Sequence, residues 1–138
     1  MRPTKEEYYM SIAKAVSARS TCTRAKVGAI IVKDDAIIST GYVGAARGED
    51  NCCDIGVCER VRLNISPGER YELCRSIHAE ANAIINAARN GHSIVDGDMY
   101  VYFERLDGGT LKCTGPCMMC ARMIKNAGIT RIRVDGVV

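Results

Sequence analysis

Two short clusters of metal-ligand residue types, each opening a predicted helix, constrain this chain more than any other feature. They are His78-Ala79-Glu80 and Pro116-Cys117-Met118-Met119-Cys120. Residues 79–90 carry an apolar stripe (Ala79, Ala83, Ile84, Ala87, Ala88) that stops at Gly91, which predicts one helix. Residues 117–127, ended by Gly128, predict a second. His78 opens the first helix, Cys117 opens the second, and Glu80 lies in the first turn. A fold that joins the two N-termini collects one imidazole nitrogen and two sulfurs, because Cys117 and Cys120 share one helical turn.

That donor set suits zinc. Three protein ligands leave the fourth tetrahedral position open to water, which separates a catalytic site from a closed structural one. The positive end of the helix dipole favours thiolate at Cys117. The free N–H groups there face the place where negative charge develops during attack on a carbon–nitrogen double bond. Zinc brings the pKa of its water toward ~7, and Glu80, which is not a ligand, moves the protons. A structural site with Cys113 as the fourth ligand is the competing reading. It gives no role to Glu80 or Pro116.

The remaining pattern alternates helix and strand. Residues 5–19 read as a helix with Tyr9, Ile12, Ala13 and Val16 on one face, and Thr4 with Glu7 forms a capping box. Residues 25–32 read as a buried strand, Asp34-Asp35 as a turn, and 36–42 as the hairpin partner. Residues 98–103 and 129–134 are further strands, and the helix between them implies a parallel crossover. The fold class is therefore α/β, in one domain over 1–138. Two segments lack a regular pattern: 43–75, with a short helix around 57–64, and the loop 104–115.

Composition removes several functions. The chain has 138 residues, a net charge of +3 and no tryptophan. Its basic residues are scattered among nearly as many acidic ones, which argues against a nucleic-acid partner. Apolar runs are too short for a membrane span, and the charged N-terminus lacks the apolar core of a signal peptide. A cytoplasmic location is expected, and there the eight cysteines read as thiols or metal ligands rather than disulfides.

The pattern H-x-E…P-C-x-x-C is that of zinc-dependent nucleobase deaminases. The segments Arg75-Ser-Ile-His-Ala-Glu-Ala-Asn-Ala-Ile-Ile, Pro116-Cys-Met-Met-Cys-Ala, Ile124-Lys-Asn-Ala-Gly-Ile, Cys22-Thr-Arg-Ala-Lys-Val-Gly-Ala-Ile-Ile-Val and Ile38-Ser-Thr-Gly-Tyr resemble the cytidine and deoxycytidylate deaminase family. The dCMP deaminase branch is the most similar. The resemblance runs from about Cys22 to Ile132. It implies a three-layer α/β/α fold, with a central mixed sheet that starts with a β-hairpin and has parallel later strands. It implies hydrolysis of dCMP to dUMP and ammonia, with His78, Cys117 and Cys120 as zinc ligands and Glu80 as the catalytic carboxylate. It also implies a homo-oligomer, hexamer or dimer, and deoxynucleoside triphosphate effectors.

Against the family pattern, Val43 replaces an asparagine that helps hold the nucleotide sugar, Ala46 replaces a proline, and the 104–115 segment is longer and carries Cys113. A later strand and helix of many members are expected to be missing. Val43 and the 104–115 segment keep other substrates open: a modified cytosine nucleotide, a nucleoside or another aminated heterocycle. A non-catalytic zinc module is the remaining alternative. Ala79, Val43, Tyr42 and Pro116 are the candidate substrate contacts, and Arg24, Lys26, Arg47 and Arg75 flank the expected pocket. Cys22, Cys52, Cys58 and Cys74, in or beside the long 43–75 stretch, are the expected ligands of a second, structural zinc, as in some dCMP deaminases. Cys53 is then a free neighbour, and Cys52 and Cys53 can exchange roles. The same cysteines also read as small buried hydrophobes.

Overall fold

Alternation of apolar side chains on both faces makes two strands the centre of the fold. These are β1 (Ala25–Lys33) and β5 (Asp98–Arg105). A computed structural model describes residues 1–106 and 115–137 of the chain. β2 (Ala36–Tyr42) pairs antiparallel with β1, β1 antiparallel with β5, and β6 (Arg131–Val137) parallel with β5, giving the order β2-β1-β5-β6.

Each central strand sends alternate residues to opposite faces. Ile30, Val32, Tyr100 and Tyr102 meet Tyr9 and Ala13 of α1 (Lys5–Ser17). Ala29, Ile31, Met99 and Val101 meet Ala83 and Ala87 of α4 (Ala79–Arg89) and Cys120 and Ile124 of α5 (Met118–Asn126). The result is the three-layer α/β/α arrangement with a mixed sheet.

Two glycines set how close the layers come. A Cβ on Gly28 would lie 2.3 Å from the Ala13 carbonyl of α1, and one on Gly41 would lie 2.3 Å from the Ala83 amide of α4. Only glycine allows these helix–strand approaches. Ser39 completes the second contact by donating to the Ala83 carbonyl at 2.8 Å.

The local signals place most boundaries. The capping box forms: Glu7 N–H donates to Thr4 Oγ1 at 3.2 Å, and Thr4 N–H donates to Glu7 Oε2 at 2.9 Å. The helix ends at Ser17 rather than 19. β6 begins at Arg131 rather than 129, because Ile129 belongs to the core and Thr130 N–H donates to the Gly97 carbonyl.

The segment 43–75 departs most from the pattern. It holds β3 (Gly44–Ala45), which pairs antiparallel with β4 (Ser76–Ile77), then α2 (Cys52–Ile55) and α3 (Glu59–Arg62), and a 3₁₀ turn at Tyr71–Leu73. The expected helix over 57–64 contracts to α3. None of these elements is long enough to show a hydrophobic period. Most of the expected 104–115 loop, with Cys113, lies outside the described residues.

Candidate active site

His78 is the N-cap of α4 and Cys117 the N-cap of α5, so both side chains project from helix starts rather than from mobile loops. Cys117 Sγ accepts the Cys120 N–H at 3.4 Å, which fixes the sulfur over the first turn of α5. His78 Nδ1 lies 3.5 Å from Cys117 Sγ and 3.4 Å from Cys120 Sγ. All three ligand atoms fall within 4.8 Å of one another, the one such group of three or more among the described residues.

The three groups hold protons unequally. Hydrogen bonding from Cys120, then from His78, brings the Cys117 thiol down to about 4. The hydrogen bond to Cys117 lifts His78 to about 10. Cys120, fully buried, is pushed up by its hydrogen bond to Cys117 and then by burial. Binding of a divalent ion releases such protons. One imidazole nitrogen and two sulfurs on rigid helix starts fit zinc and leave a position open. Glu80, 7% exposed, stands in the first turn of α4 beside the cluster, and burial raises its carboxyl above the usual range.

The cluster opens on a cavity of about 310 Å³, within the size range of small-molecule sites. Val43, Ala79, Glu80, Pro116 and Cys117 line it. Tyr42 does not. Its carbonyl instead accepts Asn82 Nδ2 at 2.8 Å, tying the end of β2 to α4. Of the four flanking cations, Arg24 and Arg75 reach the cavity, while Arg47 donates to Asn86 on the surface.

Cys22, Cys52, Cys58 and Cys74 all line the same cavity, but their sulfurs do not close to a metal-binding spacing. Cys52 Sγ sits 3.4 Å from Ser76 Oγ, Cys22 Sγ accepts the Arg24 N–H, and Cys74 Sγ accepts Arg60 Nη1 at 3.3 Å. Burial pushes the Cys22 thiol up. At Cys74 burial acts the same way, but hydrogen bonds from His78 and Arg60 prevail and lower it.

Two residues beside the cluster had no sequence signal. Tyr71 meets the His78 ring edge-on, with centroids 4.8 Å apart and planes at 78°. Arg60 covers the Tyr71 ring, its guanidinium carbon 4.5 Å from the centroid. Both sit in elements of three or four residues.

A histidine–dithiol cluster between two helix starts, with a buried glutamate beside it on an α/β/α frame, is the site of a zinc-dependent deaminase fold. Residues 3–135 match the cytidine and deoxycytidylate deaminase zinc-binding region, and the chain belongs to that family. The chain is 36% identical over 137 residues to the deoxycytidylate deaminase of Mycobacterium phage D29, covering 95% of this chain and 94% of that one. It is 32% identical to the deoxycytidylate deaminase of Schizosaccharomyces pombe, of which it spans only 37%. Its structure is similar to that of the dCMP deaminase of cyanophage S-TIM5 in complex with dCMP and dUMP. There the TM-score is 0.72, the identity 29%, and the coverage 99% of this chain and 84% of the other.

Proposed function

We propose that this chain hydrolyses the 4-amino group of dCMP, giving dUMP and ammonia. The observation that carries the proposal is the His78–Cys117–Cys120 cluster, beside buried Glu80, at the wall of a nucleotide-sized cavity. The deoxycytidylate deaminases among its relatives support the substrate.

His78 Nδ1, Cys117 Sγ and Cys120 Sγ hold the zinc. When bound, zinc supplies the Lewis acidity that brings water into the reactive range near neutral pH. Glu80 takes a proton from the attacking water and delivers it to the ring nitrogen, then serves the leaving amine. Burial suits it to this exchange, because a raised carboxyl carries a proton more readily than an ordinary one. The Cys120 N–H at the start of α5 donates to Cys117 Sγ and so favours the thiolate that would hold zinc. Ala79, Val43 and Pro116 wall the base and sugar. The Val43 side chain offers no hydrogen bond, which favours a second reading: a nucleoside or a modified cytosine nucleotide as substrate.

We also infer a structural zinc on Cys22, Cys52, Cys58 and Cys74. Four cysteines on one cavity wall support it, and it requires their sulfurs to draw together. A homo-oligomer is supported by Met118 and Met119 at the start of α5, which are 73% and 42% exposed. Control by deoxynucleoside triphosphates rests on the family resemblance. A cytoplasmic location rests on the unpaired thiols, and no described helix is long and apolar enough to cross a membrane.

The test is ammonia release from dCMP, CMP, deoxycytidine, dCTP, 5-substituted dCMP and a single-stranded oligonucleotide, with Glu80→Ala as the blank. Turnover of dCMP that vanishes in the blank is expected. Turnover of another substrate alone replaces dCMP, and silence across the panel from zinc-loaded protein overturns the reading.

A further inference from the structure

The start of α4 fixes where the His78 side chain leaves the backbone, but not the plane of its ring. The last torsion of a histidine is broad and roughly two-fold, so a ligand imidazole needs neighbours to choose its orientation. The two sulfurs approach only one corner of the ring, Nδ1, at 3.5 and 3.4 Å. The His78 side chain makes no capping hydrogen bond with α4, so the helix itself does not hold the ring.

A neighbour comes from the opposite wall of the cavity. Tyr71 meets the imidazole edge-on, with centroids 4.8 Å apart and planes at 78°. Aromatic rings favour this arrangement because their edges and faces carry opposite partial charge. Tyr71 is itself held in place. It opens the 3₁₀ turn Tyr71–Leu73, which the chain enters through Arg70 in the left-handed region, at φ +53°. A non-glycine residue keeps that conformation only where its surroundings fix it. Arg60 of α3 lies over the Tyr71 ring, its guanidinium carbon 4.5 Å from the centroid. The same guanidinium donates through Nη1 to Cys74 Sγ at 3.3 Å, and the Cys74 N–H donates to the Tyr71 carbonyl at 2.9 Å. The clasp therefore closes on itself, from Arg60 to Cys74, from Cys74 to Tyr71, and from Tyr71 back to Arg60. A Cys74 thiolate on the inferred structural zinc still accepts the Arg60 N–H, so the clasp and that metal are compatible.

We propose that Tyr71 is a positioning residue for the metal: it sets the plane of the His78 ring so that Nδ1 faces Cys117 and Cys120. This rests on the reading that the His78 cluster holds zinc. Tyr71 acts through His78 and not on the reacting atoms. The irregular wall thereby reaches the metal ligand that the regular wall leaves free to turn. The competing role is that of a plain cavity wall, since Tyr71 also lines the cavity.

The test reads the ligand directly. The chain has two histidines, and His92 is exposed, so the ring nitrogens of His78 can be followed by NMR. Zinc is titrated against a chelator in the unaltered protein, in Tyr71→Phe and in Tyr71→Leu, and the KM for dCMP is measured at saturating zinc. Removal of a group that orients a metal ligand is expected to weaken zinc at His78 by about 10- to 100-fold in Tyr71→Leu, with KM unchanged. Tyr71→Phe keeps the ring and should keep most of the affinity. Nuclear Overhauser contacts between the two rings are expected in the zinc-loaded unaltered protein. They need no variant, so they decide the matter even where Tyr71→Leu does not fold, and their absence overturns the proposal. Unchanged zinc affinity in Tyr71→Leu also overturns it, and a raised KM in that case assigns Tyr71 to the cavity wall. No zinc response at His78 in the unaltered protein sinks the cluster reading and this proposal together. If zinc binds there but dCMP releases no ammonia, the substrate reading alone fails, and the zinc affinities still decide the role of Tyr71.

Discussion

The wall made by α4 and α5 and the wall made by residues 43–75 enclose one cavity, and they are ordered by different means. The first consists of two regular helices packed on the sheet through Ala83, Ala87, Cys120 and Ile124. Its functional side chains stand at helix caps, where backbone geometry fixes them. The second consists of elements of two to four residues, held by Asn51, Arg60 and a set of cysteines. Apolar contact orders the first wall, whereas the second depends on polar groups and, in our reading, on metal and substrate. Chemistry that must not vary sits on the rigid side. In our reading, recognition belongs to the side that a ligand completes.

That contrast can be broken from either wall. The largest effect is expected from Glu80→Gln. Turnover should fall by about 10²- to 10⁴-fold, with zinc content and melting temperature unchanged, since the side chain is not a ligand. Loss of zinc in this variant, read by metal analysis, would show that the two roles are not separate.

Next comes Cys58→Ser on the irregular wall. Removing a buried ligand of a structural zinc is expected to cost about 4 kcal/mol in denaturant unfolding. The metal content should drop from two equivalents to one while the His78 cluster stays loaded. A single equivalent in the unaltered protein would leave the cysteines as packing residues.

Gly41→Ala tests the regular wall. Its Cβ would meet α4 backbone at 2.3 and 2.5 Å. A loss of about 1–3 kcal/mol is expected, along with weaker zinc affinity as the start of α4 shifts. If stability falls and affinity holds, the α4 cap is fixed by something other than its seat on β2. The smallest effect belongs to Thr4→Ala, which removes the cap of α1 on the opposite face of the sheet. It should cost about 1 kcal/mol and leave the kcat of the enzyme untouched. A change in kcat would mean that the two faces of the sheet are coupled.

The metal set, the two helix starts and the hairpin were legible in the sequence, because each follows from local chemistry, whereas the three layers came from the family resemblance. The 3.6-residue period, the capping box at Thr4–Glu7 and the three-residue spacing of Cys117 and Cys120 all act within a turn or two. The irregular wall was not legible. α2, α3 and the turn at Tyr71 are shorter than any hydrophobic period, and Arg60 looks like any other surface arginine until the chain folds.

The sequence by itself determined which atoms can hold a metal and which carboxyl stands beside it, because bonded neighbours and helical spacing decide those. Tertiary structure alone decided that Tyr42 ties β2 to α4 instead of lining the cavity, and that Gly28 and Gly41 set the spacing of the layers. It alone put Tyr71 against His78 and Arg60 over Tyr71. Those relations join residues far apart in the chain, and only the packing of whole elements brings them within reach of one another.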